Sequence, residues 1–167
     1  ISETPNIHYS FSVFVGNNFG YIDNCHISGE FNINVDSQTS NNIHYSPFVI
    51  GNLGSIMNSV ANSNTIIVSN QIFYYGHFGL GNQGYLNSNI SSGSLVYENT
   101  GINGGNKIGG FFSLTSPISY SESGPNVVNC SSDVNITTMT YKVDEIGGLF
   151  SRYSGEIDNL LYSGHMN

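Results

Sequence analysis

Charge is what this sequence lacks most. Only 8% of its 167 residues are Asp, Glu, Lys or Arg, against about 25% in an ordinary soluble domain. Lys107, Lys142 and Arg152 are its three cations; with eleven acids they give a net charge of −8. Binding nucleic acid or an anionic membrane takes clustered Lys and Arg to neutralise phosphates, so neither partner is expected. No apolar run approaches the ~20 residues that cross a bilayer as a helix, and no membrane insertion is expected. Alanine occurs once, at Ala61, and no window carries the 3.6-residue apolar period of an amphipathic helix. Cys25 and Cys130 are the only cysteines, too few for a disulfide framework and without metal spacing. The chain opens Ile1-Ser2-Glu3 and not with Met, which predicts a removed leader or a segment of something longer.

What is abundant is Asn, Ser, Gly and Tyr. Turn-forming Gly, Asn and Ser punctuate the chain about every 8 to 12 residues, the mark of many short strands. One shape also recurs. It reads Asn18-Phe19-Gly20-Tyr21-Ile22-Asp23-Asn24-Cys25, then Asn52-Leu53-Gly54-Ser55-Ile56-Met57-Asn58-Ser59, then Asn82-Gln83-Gly84-Tyr85-Leu86-Asn87-Ser88-Asn89. A looser fourth copy is Gly124-Pro125-Asn126-Val127-Val128-Asn129-Cys130, and the fifth is Tyr153-Ser154-Gly155-Glu156-Ile157-Asp158-Asn159-Leu160. The anchors Gly20, Gly54, Gly84, Pro125 and Gly155 are spaced by 34, 30, 41 and 30 residues. Repetition at that period signals a solenoid.

Each repeat holds three strand candidates. The first is represented by Val13-Phe14-Val15, His77-Phe78-Gly79-Leu80 and Ile108-Gly109-Gly110-Phe111-Phe112. The second is the Gly-x-Ile-x-Asn segment. The third alternates, as in Phe31-Asn32-Ile33-Asn34-Val35 and Ser94-Leu95-Val96-Tyr97. The expected fold is therefore all-β: one right-handed parallel β-helix over residues 1–167, about five coils of roughly 30 residues, its hand following the general crossover preference. Stacking at ~4.8 Å would make a body about 24 Å tall. It predicts inward columns Phe14/Phe48/Phe78/Phe111/Leu149 and Ile22/Ile56/Leu86/Val127/Ile157. It also predicts a structural ladder of Asn24, Asn58, Ser88, Asn129 and Asn159, since Asn tolerates left-handed backbone and stacked amides bond between coils. The anchor glycines are expected to take positive φ. Asn6-Ile7-His8-Tyr9-Ser10 and Asn42-Ile43-His44-Tyr45-Ser46 form a further echo, with Gln71-Ile72-Phe73-Tyr74-Tyr75 as a worn third version.

The Gly-x-Ile-x-Asn-[Cys/Ser] core, preceded by Ile-Gly-Gly-Phe/Leu-Phe at 108–112 and 146–150, resembles the GLUG repeat over nearly the whole chain. The first three copies depart from it in lacking the double glycine. The resemblance implies β-solenoid stalks of bacterial surface adhesins, hence an extracellular or cell-surface setting, and brings no catalytic residues.

Chemistry is sparse. His8, His26, His44, His77 and His165 show no His-x-x-x-His spacing, and outward or rim positions are expected rather than metal ligands. A β-helix glycosidase would need two acids within ~10 Å on one groove. Asp23 and Asp158 share a column but lie four coils apart, about 19 Å. Asp144-Glu145 and Glu156/Asp158 are the only dense acidic groups. No catalytic residue, cofactor or metal is expected, and the chain is read as no enzyme. Cys25 and Cys130 fall in one column ~14 Å apart, beyond bridging distance. Three sequons exist: Asn89 and Asn135, placed at turn edges, could carry glycan, while Asn129 is expected to be buried in the Asn ladder. Eleven tyrosines suit a glycan- or protein-binding lateral face.

No cap helix is predicted at either terminus, and the chain is expected to stop before the third strand of its fifth coil. Open edges pair with other chains. The predicted function is a structural module of an extracellular fibre, stalk or adhesin that associates with itself or with neighbouring repeats. A module binding glycan or surface protein is the alternative, and a polysaccharide-degrading enzyme ranks third.

Overall fold

The computed structural model describes residues 7–36, 41–101, 105–115, 127–139, 145–153 and 157–167. The chain is a parallel β-solenoid, as the repeat predicts. Its first coil holds β1 (Ile7–Ser12), β2 (Val15–Asn18), β3 (Tyr21–Asp23) and β4 (His26–Val35). The second holds β5 (Asn41–Ser46), β6 (Val49–Asn52), β7 (Ser55–Met57) and β8 (Val60–Ser69), and the third β9 (Ile72–Gly76), β10 (Gly79–Asn82), β11 (Tyr85–Asn87) and β12 (Ile90–Asn99). The fourth is β13 (Lys107–Gly109), β14 (Phe112–Thr115), β15 (Val127–Val128), β16 (Ser131–Ser132) and β17 (Asn135–Met139). The last is β18 (Glu145–Gly147), β19 (Phe150–Arg152), β20 (Ile157–Asp158) and β21 (Leu161–Tyr162). Four full turns separate β1 from β18, and β18–β21 wind most of a fifth.

Four sheets run along the stack, one more than the three-strand repeat predicts. They are β1-β5-β9-β13-β18, β2-β6-β10-β14-β19, β3-β7-β11-β15-β20 and β4-β8-β12-β16-β21, with β17 also paired to β12. The miscount has a local cause. Ile108-Gly109-Gly110-Phe111-Phe112 is not one strand but the end of β13, a bend, and the start of β14. The corner is very tight: a Cβ on Gly109 would lie 1.9 Å from the Phe112 carbonyl oxygen, and one on Gly147 1.7 Å from that of Phe150. Only glycine fits there. The third strand candidate is the far half of a ten-residue strand, as Phe31–Val35 is of β4.

The predicted columns are in register. Val15 pairs Val49, Val49 pairs Gly79, and Gly79 pairs Phe112, which stacks Phe14, Phe48, Phe78 and Phe111. Successive ring centroids lie 5.0, 4.4 and 5.0 Å apart. Leu149 follows, its carbonyl accepting from Phe111 N at 2.8 Å. Ile22, Ile56, Leu86, Val127 and Ile157 pair one on the next. The core divides into two apolar clusters. One joins Tyr45, Tyr75 and Ile108 to Ile67, Leu95, Tyr97 and Ile136; the other holds the Phe and Ile columns with Ala61 and Cys130.

Three expectations need correction. The pentapeptide echo is two residues out of register, His8 opposite Asn42 and Ser10 opposite His44, because the core columns fix the pairing and a two-residue slip keeps every side chain on its face. Gly20, Gly54 and Gly84 are not at positive φ. A Cβ on Gly54 would lie 2.1 Å from the Gly20 carbonyl oxygen, and one on Gly84 2.0 Å from that of Gly54, so close stacking is what selects glycine. The fifth coil also reaches the fourth sheet: Leu161 and Tyr162 pair Ser131 and Ser132, and Met166 bridges Ile136. Pro125 and Gly155 lie outside the described residues.

Candidate functional site

The five ladder positions turn the chain between the third and fourth sheets. Asn24, Asn58, Ser88, Asn129 and Asn159 all have φ between 49 and 56°, where Asn is the least strained side-chain-bearing residue. Their amides do bond between coils: Asn58 Nδ2 donates to Asp23 Oδ1 at 2.8 Å, and Asn159 Nδ2 to Asn129 Oδ1 at 2.7 Å. The ladder is on the surface, however. Asn129, expected to be buried, is exposed, because a left-handed corner aims its side chain outward.

A second ladder, which the sequence reading passed over, is the buried one. Asn18 Nδ2 donates to Asn52 Oδ1 at 2.8 Å, and Asn52 Nδ2 to Asn82 Oδ1 at 2.7 Å. All three side chains are buried. Their signal was legible, since Asn opens each of the first three repeats.

The sequons divide sharply. Asn89 does sit at the turn between β11 and β12, but its side chain is fully buried. Its Oδ1 accepts from Ser59 N at 3.0 Å and its Nδ2 donates to Ile56 O at 2.8 Å. Asn135 is exposed at the start of β17, its Oδ1 accepting from His165 N at 3.1 Å. Cys25, Ser59, Asn89 and Cys130 form one column, so the thiols sit three levels apart, about 14 Å. Both are free thiols. Burial pushes the Cys130 thiol up to about 11.

The acids do not converge. Asp23 and Asp158 sit in one outward column four levels apart, and Glu145 lies on the first sheet, bound by Arg152 and by Lys107 at 3.9 Å. Asp144 and Glu156 lie outside the described residues. Glu145 ends an outer column of the first sheet running Ser10, His44, Tyr74, Lys107, Glu145. His44 stacks on Tyr74 with centroids 4.9 Å apart, and Lys107 Nζ lies 5.4 Å from the Tyr74 ring centre. His77 departs from the expected outward placement and is fully buried. Among the described residues no three His, Cys, Asp or Glu side chains group as a metal site, and no helix is long and apolar enough to cross a membrane.

The ends of the stack expose what its middle hides. In the column Phe11, Tyr45, Tyr75, Ile108, Ile146, the three central side chains are buried, whereas Phe11 is 39% and Ile146 37% exposed. Phe14 and Ile157, at opposite ends, are 48% and 49% exposed. The comparisons with family models, with curated proteins and with solved structures all returned nothing, so the reading rests on the geometry. Inward columns that are buried in the middle of the stack are thus partly exposed at both of its ends. On the flank, Phe19 and Tyr21 are exposed, and Tyr85 lies two coils along in the Tyr21 column.

Proposed function

We propose that the protein is a non-enzymatic structural module of an extracellular or cell-surface fibre, stalk or adhesin, related to GLUG-repeat proteins and extended end to end. The observation that carries this is the paired exposure of the inward columns at the two ends. Head-to-tail addition of a second copy would set Ile157 on Ile22, Leu149 on Phe14, Ile146 on Phe11 and Asn159 on Asn24. Each is the kind of contact the column already makes between coils. Such an interface is heterologous and does not close, so it yields filaments. Low charge supports it, since highly charged modules would repel one another at coil spacing. A neighbouring repeat of a longer chain would satisfy the same ends.

The test is sedimentation and negative-stain imaging across a concentration series, beside Ile157→Lys and Phe14→Lys. Concentration-dependent rods that vanish in either variant, with an unchanged circular dichroism spectrum, are expected. A monomer at every soluble concentration, with no longer chain supplying adjoining repeats, would sink the proposal. The flank with exposed Phe19 and Tyr21 and half-buried Tyr85 favours a second reading, adhesion to glycan or protein through a lateral face. A glycan-array signal lost on Tyr21→Ala would select it.

A further inference from the structure

His77 stands where the next two coils have glycine. Register sets Gly76 opposite Gly109 and Gly109 opposite Gly147, so His77, Gly110 and Gly148 share one corner position. Its imidazole goes inward and is completely buried. Nε2 lies 2.8 Å from the Ser92 carbonyl oxygen and 3.0 Å from Ser63 Oγ. A carbonyl only accepts, so Nε2 carries the proton and Nδ1 is the acceptor. Nδ1 is met by the Tyr75 hydroxyl at 2.7 Å, and that hydroxyl lies 3.3 Å from Thr65 Oγ1. Ser63 Oγ and Thr65 Oγ1 are 3.4 Å apart. One ring thus ties the corner between β9 and β10 to β8 in the coil below and β12 in its own coil.

Everything around the ring is neutral. β8, β10 and β14 carry no ionisable side chain. β9 brings Tyr74 outside and Tyr75 inside, β12 brings Tyr97 inside and Glu98 on the opposite face, β5 brings His44 outside and Tyr45 inside, and β13 brings Lys107 outside. The buried polar residues among those described are Asn, Ser, Thr, Gln and His77 itself, with no carboxylate. A second proton on this imidazole would therefore be an unpaired buried charge, which is costly.

We propose that His77 is an acid-sensitive latch: its protonation breaks the tie between the third coil and β8 and opens the solenoid at its middle. Burial lowers the imidazole from its ordinary 6.5 to about 4. Since the folded state holds the neutral form, the stabilisation is complete above pH 6.5, is lost as pH falls from there towards 4, and levels off below. Over those 2.5 units the folding equilibrium constant falls roughly 300-fold through this one group. Because coils touch only their neighbours, the opening is local to coils two to four. The proposal does not depend on self-association.

Two measurements test it. Nitrogen-15 spectra of the intact protein at pH 5.5 are expected to find His77 neutral, with the proton on Nε2; a doubly protonated His77 in a folded chain would overturn the latch. Urea midpoints between pH 7 and 4 are then compared for the natural chain and His77→Gln, which keeps a donor and an acceptor but cannot charge. The natural chain should lose stability steeply and the variant much less. Hydrogen exchange on the acid side should lose protection first in β8, β9 and β12 of the natural chain alone. Equal slopes in the two proteins, or uniform loss of protection along the natural chain, would refute it. Should His77→Gln fail to fold, the spectra and the exchange pattern of the natural chain decide alone.

Discussion

Asparagine does two opposite jobs in this chain, and one residue type cannot reveal which. At Asn24, Asn58, Asn129 and Asn159 it tolerates a left-handed backbone at the surface; at Asn18, Asn52 and Asn82 it links buried amides coil to coil. Substitution separates them. Asn58→Gly should be nearly neutral, because glycine accepts that φ freely, while Asn58→Val should cost about 1–2 kcal/mol. Asn52→Leu should cost more, about 2–4 kcal/mol, since it removes the buried amide that accepts from Asn18 Nδ2 and donates to Asn82 Oδ1. Thermal or urea denaturation ranks the three, and a milder Asn52→Leu than Asn58→Val would contradict the assignment. The cysteines divide likewise. Cys130, buried and with its thiol held up to about 11, should resist alkylation at pH 8 until the chain unfolds, whereas half-buried Cys25 should react first; peptide mass mapping reads both. The sequon at Asn135 is open to a glycan, and mutation of Asn89 should remove none, since its amide is spent on Ser59 and Ile56.

At the scale of the strand, the columns were legible and the corners were not. Phe14, Phe48, Phe78 and Leu149 could be aligned by counting back from the anchor glycine, with Phe111 assigned to the same place in the fourth copy although extra residues there break the count, because stacked coils demand like residues at like positions. The same counting could not show that these phenylalanines flank a bend. Apolar residues on either side of Gly109-Gly110 read as one apolar run, and a run carries no mark of where it folds. The first-sheet strands suffered similarly: the echo at 6–10 and 42–46 is real as sequence but yields to the core in setting register, with Tyr9 opposite Ile43 and Phe11 opposite Tyr45. His77 was hidden for a different reason. Histidine is intermediate in its tendency to be buried, so residue type does not say which way it faces, and only alignment with Gly110 and Gly148 marks its position as a corner. The corner gives its own test. Gly109→Ala would push a methyl against the Phe112 carbonyl and should cost several kcal/mol or prevent folding. Gly16→Ala, where a Cβ would meet nothing within 4 Å, should change stability by less than about 1 kcal/mol. Equal effects in the two would mean that the corner is looser than its geometry requires.

As a whole molecule, a solenoid is close to one-dimensional, so a residue's worth depends on how many coils lie on each side of it. Phe78 has Phe48 beneath it and Phe111 above, at 4.4 and 5.0 Å, and is fully buried; Phe14 has Phe48 on one side and is half exposed. Truncating the first should cost about 3–5 kcal/mol, as for any buried Phe. Truncating the second should cost about half of that or less in the monomer, because much of the ring is already in water. Self-association changes this account. If copies add head to tail, the Phe14 ring gains the Leu149 side of the next copy and becomes an internal position. Its truncation should then cost little at low protein concentration and several-fold more in the assembly, while the Phe78→Ala penalty stays constant. Denaturation of Phe14→Ala, Phe78→Ala and the natural chain at protein concentrations a hundredfold apart separates the cases. A Phe14→Ala cost that does not move with concentration would leave the exposed columns as frayed ends and remove the main physical support for a fibre.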